Sequence, residues 1–147
     1  MKLDLNPTLK EFNKLTNLIE EFYHEICVKQ GLSDSAYAIL QAFLALGNGC
    51  TQTDIYKHTV LNKQTVHSSV KKLCQDGLIT LEKGNGRELK IYLTVDGEKI
   101  VRERILPIEQ AENEVFNEMT MEEQEEILRL TQKYLDAYRS KVEQLGV

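Results

Sequence analysis

Residues that carry chemistry are scarce in this chain of 147 residues. It has three histidines, His24, His58 and His67, and no Gly-rich loop placed before a helix to cradle phosphate. No Gly-x-Ser-x-Gly nucleophile motif occurs, and the Ser-x-x-Lys spacings at Ser68/Lys71 and Ser69/Lys72 have no Ser-Asp-Asn or Lys-Thr-Gly partner in the chain, so no enzyme is expected. The three cysteines, Cys27, Cys50 and Cys74, are far apart, odd in number and lack any Cys-x-x-Cys pair. That excludes a disulfide framework and a zinc ribbon, and leaves buried thiols as the ordinary reading. No apolar run approaches the ~20 residues a membrane span needs. The start at Lys2 also lacks the apolar region of a secretory signal. A cytoplasmic protein without a cofactor is expected.

Positive charge is short as well, with a net charge of −5. By itself this argues against nucleic acid, whose affinity leans on neutralising phosphates. The average conceals a division. From Lys57 to Lys90 the cations Lys57, Lys63, Lys71, Lys72, Lys83, Arg87 and Lys90 face only Asp76, Glu82 and Glu88. That segment carries +4 and the remainder −9. A basic head on an acidic scaffold confines contact with DNA to one surface.

Within that head two short helices precede a Gly-tipped hairpin. Thr51 and Asp54 stand at capping-box spacing, which starts the first helix. Thr59, Val60 and Leu61 make the turn. Asn62 caps the second helix, where Val66, Val70 and Leu73 share one face and Gln64, Thr65, His67, Ser68, Lys71 and Lys72 the other. The second set has side chains of the length and polarity that reach base edges and phosphates. Gly77 ends the helix, and Gly84, Asn85 and Gly86 tip the hairpin. In the returning strand Leu89, Ile91 and Leu93 alternate with polar residues, so that side covers the helices. This order matches a DNA-reading winged helix-turn-helix. Arg87, just past the tip, is either a minor-groove probe or an ordinary surface cation.

Long helical patterns flank the head. The first runs from about Pro7 to Lys29, with Phe12, Leu15, Ile19, Phe22 and Ile26 in a heptad-like stripe, and Gly31 ends it. Ser33 or Asp34 opens a scaffold helix containing Tyr37, Leu40, Phe43, Leu44 and Leu46. After Thr94 the stripe Val101, Ile105, Ile108, Val115 and Met119 is interrupted by Pro107, which bends the helix or loosens a turn. Thr120 and Glu123 make another capping box before a helix with Ile127, Leu130, Tyr134, Tyr138 and Val142 on one side. A helix of ~23 residues extends ~35 Å, longer than a compact head, so these stripes call for another surface. A second chain would supply it, giving a two-fold homodimer. The alternative is a monomer with the first helix folded onto the last two. The expected architecture is mainly α with a small β wing, in three parts: residues 1–31 an N-terminal dimerisation helix, 32–97 the winged helix, and 98–147 C-terminal dimerisation helices.

Over essentially its entire length the chain resembles the MarR family of bacterial transcription regulators. NKQTVHSSVKKLCQDGLI is similar to the family's recognition helix and following Gly-Leu-Ile. RELKIYLTVDG is similar to its wing strand with the Leu-Thr-x-x-Gly signature at Leu93, Thr94 and Gly97. The resemblance implies an obligate dimer on a pseudo-palindromic double-stranded operator. Such regulators usually repress nearby genes and are often released by a phenolic or other aromatic ligand, by oxidation or by metal. It places Thr53, Asn62, Lys63, Gln64, Thr65, His67, Ser68, Ser69, Lys71, Lys72 and the wing residue Arg87 at the DNA. Ser68 stands where many members have Arg, which moves base contact toward Gln64, Thr65, His67 and Ser69. Asn85 replaces the family's Asp, so the ion pair that often braces the wing is not implied here.

The family architecture also suggests a ligand pocket lined by Phe12, Leu15, Phe22, Tyr37 and Phe43, although the same side chains can simply fill a core. Three further readings stay open. His24 and Cys27, with Glu20 or Glu21, offer a partial metal site. Cys27 beside Tyr23 offers an oxidation sensor, provided its thiol is exposed and ionised. The winged helix can also serve as a protein-interaction module.

Overall fold

The structure, a computed structural model, describes residue 4 and residues 6–146. The outermost residues of the two end segments, 1–3, 5 and 147, lie outside the described residues. Helix α1 (Pro7–Lys29) opens with the Asn6 side-chain oxygen accepting from Thr8 and Leu9 N–H groups at 2.9 and 3.3 Å. Pro7 occupies the first turn, where a missing N–H leaves no bond unmade. Gly31, at φ +69°, lets the chain leave the helix. Of α1 only Cys27 is buried, while Leu15, Ile19 and Phe22 are each more than half exposed. These three positions of the heptad stripe are thus left uncovered.

Helix α2 (Asp34–Leu46) is capped by Ser33 and supplies most of the core, with Tyr37, Ile39, Leu40, Ala42 and Phe43 buried. Leu44 points away and is exposed, because the buried residues already fill the side that meets α3 (Gln52–His58) and α4 (Lys63–Gln75). Helix α3 begins with the expected capping box: Asp54 N–H donates to Thr51 Oγ1 at 3.1 Å, and Thr51 N–H donates to Asp54 Oδ2 at 2.8 Å. The Thr51 hydroxyl donates to the same carboxylate oxygen. These donors, backbone first, hold the Asp54 carboxyl below the ordinary carboxylate range. Their contribution is therefore present above that range and fades as pH falls through the lowered value. Thr51→Ala is expected to destabilise the fold by about 1–2 kcal/mol, read from the urea midpoint.

Asn62 Oδ1 caps α4 by accepting from Thr65 N–H at 2.8 Å, and Val66, Val70 and Leu73 are buried against α2 and α3. Gly77 (φ +73°) closes the helix and strand β1 (Ile79–Lys83) follows. It pairs antiparallel with β2 (Leu89–Leu93), from Ile79 opposite Leu93 to Lys83 opposite Leu89. A third backbone segment joins this hairpin. Gly49 N–H donates to Ile91 O, and Ile91 N–H to Cys50 O, both at 2.8 Å. Ile91 is fully buried under this stub, whereas Leu89 and Leu81 remain exposed. The covering side expected of the returning strand therefore ends part-way, because the outer half of the hairpin extends beyond the helices.

Leu93, Thr94 and Gly97 form the joint between wing and helix α5 (Val95–Ile100). The Thr94 hydroxyl donates to Gly77 O at 2.7 Å and accepts from Gly97 N–H at 3.1 Å. Thr94 N–H donates to Leu78 O. A Cβ placed on Gly97 would lie 2.0 Å from Leu78 O. One motif thus ties the end of α4 to the root of the wing.

Past α5 the backbone widens into a single π turn, Val101–Ile105, before α6 (Leu106–Glu118). Pro107 lacks the N–H that would bond Glu103 O, and its ring crowds that carbonyl. Leu106 N–H bonds Val101 O, five residues back, and so accommodates the widened turn. This is the loosened turn expected from Pro107. Val101 and Ile105 stay buried beside α2.

Packing divides the described chain after Pro107. The first unit includes α1 and residues 98–107 together with the winged helix. Cys27, Val101 and Ile105 are buried in it, and Arg104 donates to Gln30 O. The second unit holds most of α6 and all of α7 (Met121–Glu143). Helix α7 starts with a capping box between Thr120 and Glu123 and has no buried residue. Ile127, Leu130, Tyr134 and Tyr138 are all exposed along it.

Candidate nucleic-acid interface

Burial of Val66, Val70 and Leu73 turns the opposite side of α4 outward. Lys63, Gln64, His67, Ser68, Lys71 and Lys72 are exposed, as is the cap Asn62, and Thr65 is half-buried. Thr53, one residue into α3, is exposed as well. Ser69 departs from the expected set. Its hydroxyl donates to Ser35 Oγ of α2 at 2.8 Å in a partly buried contact, so it joins two helices instead of facing outward. A half-turn offset from Gln64 and Lys71 puts it there, and its polarity had disguised an interior role.

Several outward side chains are already oriented. Lys63 Nζ lies 5.2 Å from the Tyr56 ring centroid, a cation–π contact across the two helices. His67 Nδ1 stands 3.3 Å from Gln52 Oε1. The Ser68 hydroxyl donates to Thr65 O and retains its acceptor lone pairs. Lys72 pairs with Asp76 at 2.6 Å, so part of its charge is already matched, and Lys71 is the less engaged cation. Gln52, Thr53, Tyr56, Lys63 and Val66 line a shallow cleft where α3 meets the start of α4. Gln52 and Tyr56 were not anticipated. Their four-residue spacing puts them on one side of α3, but nothing local says that this side meets α4.

Arg87 is exposed in the five-residue loop joining the wing strands, where Gly86 takes φ +71°. The neighbouring carboxylate Glu88 pairs with Lys90 at 3.6 Å. Among the described residues no carboxylate pairs with Arg87, so its charge stays available.

The tentative pocket residues are divided. Tyr37 and Phe43 are buried in the core of the first unit, whereas Phe12, Leu15 and Phe22 are exposed on α1. His24 Nδ1 is bonded to Asp34 at 2.9 Å. Among the described residues no group of three His, Cys, Asp or Glu side chains is placed to hold a metal. Burial pushes the Cys27 thiol up, and the Asp34 carboxylate beside it, which also takes its hydrogen bond, adds to the effect. Cys50 is raised by burial and by Asp54, and Cys74 by burial. All three are poor thiolates. No helix among the described residues is long and apolar enough to cross a membrane.

A family model described as MarR family matches residues 30–88, the span from the end of α1 through the wing loop. Over residues 30–88 the chain is similar to the MarR family. The MarR fold also extends to the flanking helices, as three solved structures demonstrate. A MarR family regulator from Neisseria meningitidis is 23% identical, with 97% of this chain and 100% of that one covered at a TM-score of 0.72. MepR of Staphylococcus aureus in its DNA complex is 20% identical, covering 92% and 99%, with a TM-score of 0.68. The PcaV transcriptional regulator of Streptomyces coelicolor with its natural ligand is 18% identical, covering 92% and 99%, also at 0.68. No curated protein sequence matches the chain. At these identities the structural likeness establishes the MarR fold.

Proposed function

We propose that this protein is a homodimeric transcriptional regulator that binds a pseudo-palindromic double-stranded operator, represses from it, and is released by a small ligand. The observation that carries the reading is the exposed face of α4, with Gln64, Thr65, His67, Lys71 and Lys72, on the same basic segment as Arg87. Hydrogen-bonding side chains there match base edges in the major groove, and Arg87 matches the negative potential of a minor groove. MepR is a structural relative held on DNA, and PcaV one holding its natural ligand. Exposed apolar stripes on α1 and α7 support a dimer, each needing a surface to cover it.

The test is selection of duplexes from a random pool, followed by release assays with phenols and aromatic acids on the recovered site. One enriched inverted repeat whose affinity falls steeply with salt is the expected result. Failure to enrich any duplex at low ionic strength rejects the proposal. Equal binding to every duplex would instead favour a non-specific module, and salt-independent capture of a protein would favour an interaction module.

Within the site the roles divide. Gln64→Ala is expected to cost about 1–3 kcal/mol on the selected operator with little change on random DNA. Lys71→Ala should weaken both together and reduce the salt slope by about 1. Titration of both DNAs with both variants checks this, and equal losses everywhere would remove the division. Oxidation through Cys27 is disfavoured by its burial and raised thiol, so mild peroxide should leave operator binding intact. The bond from His24 to Asp34 likewise competes with metal, and zinc should leave affinity unchanged.

A further inference from the structure

We propose that Gln52 is a positioning residue for sequence recognition. By bonding His67 it fixes which ring nitrogen carries the proton, and so which base the ring selects. The inference rests on the DNA-binding reading above and adds to it a residue of α3 outside the recognition helix.

The geometry is simple. The Gln52 amide oxygen faces His67 Nδ1 at 3.3 Å. A carbonyl oxygen only accepts, so with the amide in this orientation the proton belongs on Nδ1, whereas an amide rotated to present its NH2 would require the opposite tautomer. In a neutral ring the other nitrogen, Nε2, then carries a lone pair and no proton. His67 is exposed on α4, and among the described residues no carboxylate is paired with it. The ring therefore offers the groove an acceptor. In the major groove an acceptor is complementary to the exocyclic amines, N4 of cytosine and N6 of adenine, and is repelled by O6 and N7 of guanine. The opposite tautomer would offer a donor and reverse that choice.

Gln52 is suited to this task. It sits in the first turn of α3, anchored by the buried Thr51 cap, and is itself half-buried. Its neighbour on the same side, Tyr56, holds Lys63 in a parallel fashion. Helix α3 thus acts as a jig for two side chains of α4.

The experiment uses the full-length protein and its selected operator, with all four base pairs placed in turn at the position whose preference His67→Ala abolishes. The wild type is expected to favour the amine-bearing base there roughly tenfold. Gln52→Leu frees the ring to take either tautomer and should flatten that preference, while preferences set by Gln64 stay as they were. Gln52→Glu keeps an acceptor and adds a charge that favours the doubly protonated ring. Both nitrogens then donate, and the preference should move to guanine. A merely structural role for Gln52 would not redirect the choice of base. If Gln52→Leu keeps the wild-type profile, or Gln52→Glu keeps the amine preference, the proposal is overturned while specific DNA binding stands. If the wild type selects no duplex, the DNA-binding reading itself fails and takes this proposal with it.

Discussion

Gly97→Ala should lower the unfolding free energy by roughly 2–3 kcal/mol, although alanine is the better helix former. The position is helical and its φ is not in the left-handed region, so backbone conformation is not what demands glycine. Space is what demands it. The added methyl would stand 2.0 Å from Leu78 O, and that oxygen is backbone, accepting from Thr94 N–H at 3.0 Å. Relief requires the start of α5 to move away from the end of α4, which strains the Thr94 bonds to Gly77 and Gly97. The ~1 kcal/mol gained from helix propensity does not offset that overpacking. Thermal unfolding should show a midpoint lowered by roughly 6–12 °C. Because the same joint aims the wing, operator affinity should fall further than Arg87→Ala alone would cause. A variant as stable as the wild type would mean that the joint slides freely. The Leu-Thr-x-x-Gly spacing would then have no steric basis.

Gly31 makes the contrast. It has nothing within 4 Å of a built Cβ, yet its φ of +69° makes any side chain strained. Two glycines of identical appearance in the sequence are thus required for different reasons, one conformational and one steric. The first kind was legible from position, since a glycine after the last apolar turn signals a helix end. The second was visible only as a family motif, because its cause lies about twenty residues upstream.

The same distinction runs through the fold. Helix limits were legible because caps act within three residues: Thr51 with Asp54, Asn62 with Thr65, Thr120 with Glu123. The loosened turn at Pro107 was legible too, as its missing N–H acts four residues back. The stub at Gly49 and Cys50 was not, because its partner Ile91 is some forty residues away. Nor was the inward role of Ser69, whose partner Ser35 lies on another helix. The outer face of α4 could be read by periodicity, but the bonds that orient it come from Gln52 and Tyr56 on α3. Local sequence therefore names the outward residues of α4 without revealing how they are aimed.

The second large effect is expected from Leu130→Asp combined with Tyr138→Asp, which should turn the protein into a monomer and weaken operator binding about 10²–10⁴-fold. Both residues are exposed on α7, at 47% and 58%, so neither charge enters a core within its own unit. Both belong to the apolar stripe that also includes Ile127 and Tyr134, on whose ring Tyr138 stacks at 5.9 Å between centroids. Covering one such side chain stabilises association by roughly 1.5–3 kcal/mol, and a two-fold axis counts each contact twice. In a dimer sealed by this stripe, carboxylates placed there would lose hydration without a counter-charge, a cost that adds to the lost burial. The monomer would keep an intact α4 and wing and still recognise a half-site, with the same base preferences and about half the salt slope. What it loses is the second head's effective concentration over the other half-site. Sedimentation and operator titration measured on one preparation separate the steps. A variant that stays dimeric with unchanged affinity would remove α7 from the seam and leave the stripe of α1, from Phe12 to Phe22, as the surface that joins two chains.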